Sequence, residues 1–433
     1  MNTRVEDAGP CRKILHVNVE WSEVAGDYER LLAQVAAEAR IPGFRKGKAP
    51  VQVVERRYAK GLADDAKERL LPRFYKAAVE AEKLNPVSVV QVADVDLVRS
   101  QGFRFRVTVD VPPEFKLPKY KKISLKDQTR EVGDEDVDRM LDGLRQQVAR
   151  YEDVEGRPVK EGDLLRIDYE GRTADGRPMA ELSPDCGGLG SATDFWAQVG
   201  HPEFLPGMAA ALTGMNVGET RQIEVAFPED YHVPPAAGQK AVYTVTAKAI
   251  RERHLPEVNE ELARMVGADS VDAMRSKLRD RLKEAAAGEE RARQHDEIAK
   301  VLIEKTEIEP PRSLVEGESR QMFYHSVRSM LRQGLPRDQV EQQRAEIAAS
   351  ATRVGTDRVK LRFILEAVAR EEKIDLSDAE LDEHLAQMAR QSHVSPEALR
   401  AEIQRRGDMG EVRSDALCNK VLDALADIAL GRR

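Results

Sequence analysis

Residues 43–50 of this 433-residue chain, Gly-Phe-Arg-Lys-Gly-Lys-Ala-Pro, are where residue type and spacing point most directly to chemistry. One aromatic, Phe44, stands beside Arg45, Lys46 and Lys48, and Arg40, Arg56, Arg57 and Lys60 thicken the charge around them. Pro42-Gly43 stops a helix-like run that ends at Arg40-Ile41, because proline cannot continue the hydrogen-bond ladder and glycine accepts a positive φ. Pro50 sits where a second helix begins, Val51 to Tyr58, and its missing N–H costs little there. The stretch between, Gly43 to Lys48 with Ala49, is therefore the exposed tip of a helix–loop–helix. A cationic tip on a chain of net charge −8 points to docking on something anionic, with nucleic acid first. The same residues also fit a plain solvated charge run. A phosphate-binding loop is excluded. Gly43 and Gly47-Lys48 fall one residue short of the G-x-x-x-x-G-K spacing, and Ala49 stands where the Mg-binding hydroxyl belongs.

The remaining reactive residue types exclude more than they suggest. Asp168 and Glu170 flank Tyr169 on a strand and point away from it, which makes them solvated carboxylates rather than an acid–base pair. Cys11, Cys186 and Cys418 are odd in number and far apart, without Cys-x-x-Cys. They suit a reducing cytosol and give neither a disulfide framework nor a metal site. No His-Glu-x-x-His and no nucleotide motif occurs, so no cofactor and no metal are expected. No apolar run approaches the roughly 18 residues of a membrane span. Met1 to Pro10 carries Glu6 and Asp7 and lacks the apolar core of a secretory signal, so the expected location is cytoplasmic. A chain 33% charged and 5% aromatic is highly polar and lacks the aromatic content of one large core. Its length suits two to four domains.

The elements that must position the tip can be read from periodicity. Ile14 to Trp21 alternates, with Leu15, Val17, Val19 and Trp21 on one face, as a half-buried strand does. Tyr28 to Ile41 reads as a helix with Leu31, Leu32, Val35 and Ala39 on one stripe, and helix resumes after the tip to about Lys83. Val87 to Val98 and Phe103 to Val111 form two strand-like runs joined at Ser100-Gln101-Gly102. Pro112-Pro113 closes this α+β domain. From Pro118 the text is charged, and Val137, Met140, Leu141, Leu144 and Val148 fall at helical spacing, as in a connecting helix. Leu164 to Glu170, Thr220 to Ala226 and Ala241 to Ile250 alternate like the strands of a compact β domain. From Arg251 the chain reads as helical to its end. Pro310-Pro311 and Gly334 with Pro336 act as stops, Ser377 to Glu380 is a capping box, and Val271, Met274, Leu278 and Leu282 share a face. Such long helices argue for an extended, arm-like assembly.

The octapeptide, in the form Gly43-Phe44-Arg45-x-Gly47-x-x-Pro50, resembles the ribosome-docking signature of bacterial trigger factor, and length and domain order extend the likeness over the whole chain. By that resemblance Phe44, Arg45 and Lys46 contact a ribosomal protein and adjacent rRNA at the tunnel exit. Ile167 to Gly171, Phe204 to Met208, Phe227 to His232 and Ala241 to Val245 resemble an FKBP-type peptidyl-prolyl isomerase domain. Such chemistry needs no nucleophile. The prolyl amide must twist over a barrier of about 18–20 kcal/mol, and an apolar aromatic pocket favours the less polarised twisted form. The resemblance assigns Tyr169, Phe195, Phe204, Leu205 and Tyr243 to the pocket wall. The sequence departs from the family at Met208, where an aromatic floor is usual, and at Met179-Ala180, where Phe and an acidic residue are usual. A glycine-rich insertion, Leu182 to Ala192, lies nearby. These departures imply reduced isomerase activity with apolar peptide binding retained.

The expected fold is therefore multidomain α+β. Residues 1–113 form the docking domain and 114–157 a connecting helix packed with the C-terminal domain. Residues 158–252 form the FKBP-like β domain and 253–433 an extended all-α substrate cradle. Met322, Phe323, Met330 and Leu331 in one helix, and Phe363 among Leu361, Ile364, Leu365 and Val368 in another, are the richest apolar clusters. Helix–helix core explains most of them, and adaptable Met and Leu on an open face suit promiscuous binding of unfolded segments. The family likeness implies an ATP-independent chaperone for nascent and unfolded polypeptides, with the free protein able to dimerise. Two alternatives stay open: a free-standing prolyl isomerase whose helices are a dimerisation scaffold, and an rRNA-binding protein without chaperone role.

Overall fold

The computed structural model describes residues 1–99, 101–182, 187–200, 204–231 and 233–432. Ser100 of the expected turn, residues 183–186 of the glycine-rich stretch, Cys186 among them, and His232 lie outside the described residues. In chain order come β1 (Asn2–Gly9), β2 (Arg12–Val19), α1 (Trp21–Glu38), α2 (Val51–Ala81), β3 (Ser88–Val98) and β4 (Gly102–Asp110). There follow α3 (Asp134–Gln147), β5 (Arg150–Val154), β6 (Leu164–Thr173), α4 (Gly187–Gly190), β7 (Ser191–Gln198), α5 (Met208–Leu212), β8 (Thr220–Ala226) and β9 (Lys240–His254). The rest is helical: α6 (Glu260–Met265), α7 (Val271–Glu304), α8 (Arg312–Arg332), α9 (Arg337–Gln342), α10 (Arg344–Glu372), α11 (Asp378–Ser392), α12 (Pro396–Arg406) and α13 (Met409–Ala429). The chain divides into two compact units, Met1–Gln128 with Glu289–Arg433, and Thr129–Gly288.

The first unit begins with an antiparallel sheet in the order β1-β2-β4-β3. Register puts Leu15 opposite Val107, Val17 opposite Phe105 and Val19 opposite Phe103, so one face of β2 and β4 is continuously apolar. That face packs on Val24, Leu31 and Leu32 of α1 and on Val54, Leu62, Leu70 and Phe74 of α2. Each such side chain, removed from water, stabilises by about 1.5–3 kcal/mol. Gly102 has φ +89°, and a Cβ there would lie 2.0 Å from the Val19 carbonyl oxygen, so no other residue fits. Trp21, expected at the end of a strand, instead opens α1, which starts seven residues before the expected Tyr28. β1 was not legible: its polar residues show no apolar face, and it forms by pairing along β2.

A second core of this unit joins distant parts of the chain. Tyr120 and Leu125 pack with Ile298 and Leu302 of α7, with Val359, Phe363 and Ile364 of α10, and with Val421 and Leu425 of α13. The Leu125 N–H donates to the Ala429 carbonyl at 3.1 Å. A smaller core joins Leu381 and Leu385 of α11 to Ile403 of α12 and Val412 of α13. Ser377 caps α11 reciprocally with Glu380, as the sequence suggests. The first unit's two regions are stitched at Asp110, which is 1% exposed. It accepts two bonds from the Arg12 guanidinium, at 2.7 and 3.1 Å, and one from the Ser313 N–H at 3.2 Å. Asp110 thereby caps α8, which has no capping side chain of its own.

In the second unit the sheet order is β5-β9-β6-β7, with β8 also on β9. β9 runs 15 residues, long enough to pair β8 near its start and β5 near its end while β6 lines its other edge. The stretch 114–157 departs from the expected connecting helix. Only Asp134–Gln147 is α-helical, and Arg150–Val154 is strand β5, drawn into the sheet by Val154 and its pairing with β9. Val137 and Leu141 of α3 pack on Leu262 of α6 and on Met274 and Leu278 of α7.

Candidate functional site

The cationic tip is a short loop built between two helix ends. Ala39 and Ile41 are buried and anchor its first leg, and Ala49 packs against the same core from the other side. Backbone bonds brace it: Phe44 N–H to Ile41 O (3.0 Å), Lys48 N–H to Arg45 O (2.9 Å) and Gly47 N–H to Ala39 O (3.4 Å). Gly47 has φ +72°, and a Cβ there would meet the Ala37 carbonyl oxygen at 2.8 Å. The loop's shape is therefore fixed by its backbone while its side chains face outward. Phe44 is 44% exposed, a large apolar side chain that the fold leaves in water. Among the described residues Arg45, Lys46 and Lys48 are exposed and form no ion pair, whereas most surface arginines elsewhere do. Charge and an aromatic are thus both unspent at this tip.

The residues that the resemblance assigns to a pocket come together in the second unit. Tyr169 lies 5.7 Å from Phe195, 5.1 Å from Phe204 and 6.2 Å from Tyr243, ring centre to ring centre. Phe195 and Phe204 are 4.5 Å apart and only half-buried, at the mouth. Leu205, Met208 and Met179 are buried beneath them. Gly207, with φ +76°, turns the chain so that α5 starts at Met208, whose N–H donates to Leu205 O at 3.1 Å. The floor is aliphatic and thioether rather than aromatic.

Two features of this cluster have no counterpart in the sequence pattern. The Tyr169 hydroxyl donates to Gly188 O at 2.8 Å and the Tyr243 hydroxyl to Leu189 O at 2.9 Å, so both phenols brace the α4 turn. Burial pushes the Tyr169 phenol above its ordinary pKa, which keeps it a donor. Gly171 lies against the Tyr243 ring, where a Cβ would approach to 2.4 Å. Backbone acceptors leave no sequence signal except the run of glycines around 187–190. Ala180 is exposed and abuts Gly190, so no carboxylate stands there.

Asp168 and Glu170 are engaged as surface pairs. Asp168 accepts from Lys248 Nζ at 2.7 Å and from the Asp194 N–H at 2.8 Å; these bonds hold it below the usual carboxylate range. Glu170 pairs with Arg172 at 2.6 Å. Neither is poised for proton transfer. What the site offers is an apolar, aromatic-lined surface that can strip water from a peptide.

The apolar residues expected in the cradle separate. α8 has no fully buried residue: Met322, Phe323 and Met330 are half-buried and Leu331 is exposed, with Tyr324 beside them 65% exposed. Phe363 is a correction. It is 5% exposed inside the second core of the first unit, where Ile364 and Val368 pack beside it, and it presents no surface. Periodicity alone could not choose between the faces of α10, because apolar residues surround that part of the helix. A cleft of about 660 Å³ that the sequence did not reveal lies between α8, α10 and α11–α13, with Leu361, Leu365, Met388 and Leu399 in its wall.

Residues 1–144 match the family described as "Bacterial trigger factor protein (TF)", and residues 270–427 match its C-terminus. Residues 155–248 match "FKBP-type peptidyl-prolyl cis-trans isomerase". The chain is 30% identical to a trigger factor of Opitutus terrae over 433 residues, 99% of this chain and 98% of that one. It is 32% identical to a trigger factor of Desulforudis audaxviator over 435 residues, 98% of this chain and 96% of that one.

Proposed function

The chain belongs to the bacterial trigger factor family, and from that premise we propose that it is an ATP-independent chaperone that docks on the ribosome and holds emerging polypeptide. The observation that carries the reading is the tip: Phe44 exposed, its cationic neighbours unpaired among the described residues, and the loop braced by its own backbone. Such a tip loses little conformational entropy on binding. Phe44 supplies apolar area, and Arg45, Lys46 and Lys48 supply attraction to a ribosomal protein and adjacent rRNA. Met322, Phe323, Met330 and Leu331 are the adaptable apolar side chains offered to clients. In this reading the chain works in the cytoplasm without a cofactor, and the free protein is able to dimerise.

The FKBP-type domain gives the chain a prolyl isomerase activity in which Phe195 and Phe204 meet the substrate, Tyr169 and Tyr243 hold the wall, and Leu205 and Met208 form the floor. Met179, Ala180 and Met208 keep that activity slow, because a flexible thioether floor fixes the twisted amide less rigidly than an aromatic ring. The free-standing isomerase reading leaves the exposed tip without a purpose.

The test is co-sedimentation of the full chain with ribosomes across a salt series. The parent chain should bind, and binding should weaken steadily as salt rises. Phe44→Ala/Arg45→Ala/Lys46→Ala should abolish it while the far-ultraviolet spectrum stays unchanged, since none of the three side chains is buried. Undiminished binding by that variant rejects the docking role.

A further inference from the structure

We propose that the groove between α1 and α2 is a second docking surface, shaped for the phosphate backbone of RNA, behind the tip. The inference rests on the ribosome-docking reading and adds residues to it. Beyond a kink at Tyr58, the buried stripe of α2 recurs every fourth residue through Leu62, Ala66, Leu70 and Phe74. The residues one position before that stripe form an exposed flanking row, Gly61, Asp65, Arg69 and Arg73. Asp27, Arg30 and Gln34 of α1 face the far end of this row across a cavity of about 220 Å³, floored by Leu31, Ala66 and Leu70.

The charges there are unbalanced. Arg30 donates to one oxygen of Asp27 at 2.8 Å and Arg73 to the other. Among the described residues Arg69 meets only the neutral Gln34 amide oxygen, at 3.2 Å. The three arginines and one aspartate lining the cavity leave an excess of two positive charges. The Arg30 and Arg73 side chains are 77% and 61% exposed, so water screens their pairs with Asp27 and a ligand oxygen can compete for them. Arg69 and Arg73 are one helical turn apart, about 6 Å along the axis, a spacing suited to successive phosphates of one strand. Guanidinium forks bind phosphate oxygens in pairs. Arg57, exposed on the tip side of a kink at Tyr58, adds positive charge between the groove and the tip, while Gly61 and Asp65 separate it from the Arg69–Arg73 pair.

The experiment uses the full chain with two probes, whole ribosomes and protein-free large-subunit rRNA, and reads the slope of log affinity against log salt. Each phosphate contact removed should flatten the slope by about 0.7–0.9, so Arg69→Ala/Arg73→Ala should lose about 1.4–1.8 on both probes. Arg69→Lys/Arg73→Lys should keep most of the slope, and Asp27→Asn should steepen it and tighten binding. An unchanged slope for the double alanine variant, when the tip variant is released from ribosomes, overturns this groove and leaves the docking reading standing. Parent-like binding by both variants overturns both. A slope that flattens on ribosomes but not on rRNA assigns the groove to an acidic protein face and overturns the RNA assignment.

Discussion

Asp110 illustrates how much one side chain can carry in this fold. Burial alone would push its carboxyl up, but the Arg12 fork and the Ser313 N–H outweigh that and hold it below the ordinary range. A depressed folded-state value means the stabilisation is fully present above the unfolded pKa, near 3.9, and is lost as pH falls through the folded value. Asp110→Ala leaves the Arg12 guanidinium and the first turn of α8 without their acceptor and should cost about 1.5–3 kcal/mol. Denaturant unfolding should find that deficit constant above about pH 5 and shrinking below pH 4. A deficit that grows on acidification would mean the carboxyl is not the stabilising form. Nothing in the sequence marks Asp110 out; its contact with Ser313, 203 residues away, gives it this role.

Elements differ in how well the sequence declares them. β8 spans the same residues, Thr220 to Ala226, in the sequence reading and in the structure, because alternation on a strand with one buried face leaves a single consistent register. The cap at Ser377 and the stops at Pro311 and Gly334 were legible for the same kind of reason, each being a local backbone requirement. β1 and β5 were not, since both form at sheet edges where a partner strand supplies the order. The aromatic cluster was placed by family likeness, whereas its braces, the carbonyls of Gly188 and Leu189, had no side chain to announce them. Gly171 on β6 tests that arrangement. Alanine there would press into the Tyr243 ring and the Leu189 carbonyl, and we expect about 1–3 kcal/mol of destabilisation. Thermal unfolding should record a lowered transition for the second unit, and an unchanged one would mean the tyrosine and its turn can move aside.

At the scale of the whole molecule, the second unit is an insertion between two parts of the first. The Gln128 N–H donates to Glu290 Oε1 at 3.0 Å, so the points where the chain leaves and re-enters the first unit are already bonded. Bonds from Arg293, then from Gln128 and Gln294, hold the Glu290 carboxyl down to about 2. Removing Thr129–Gly288 and joining Gln128 to Glu289 should therefore leave the first unit folded. The shortened chain should still co-sediment with ribosomes and should lose all turnover of proline peptides. Retained turnover would place the isomerase outside the FKBP-type domain. The core that holds Tyr120 and Leu125 has one more implication, for the timing of birth rather than for stability. Its partners on α13 are made roughly 300 residues later, a delay on the order of tens of seconds at bacterial elongation rates. During that interval a half-synthesised copy exposes greasy, unpaired segments, the same kind of unfinished cargo that mature copies are proposed to shelter.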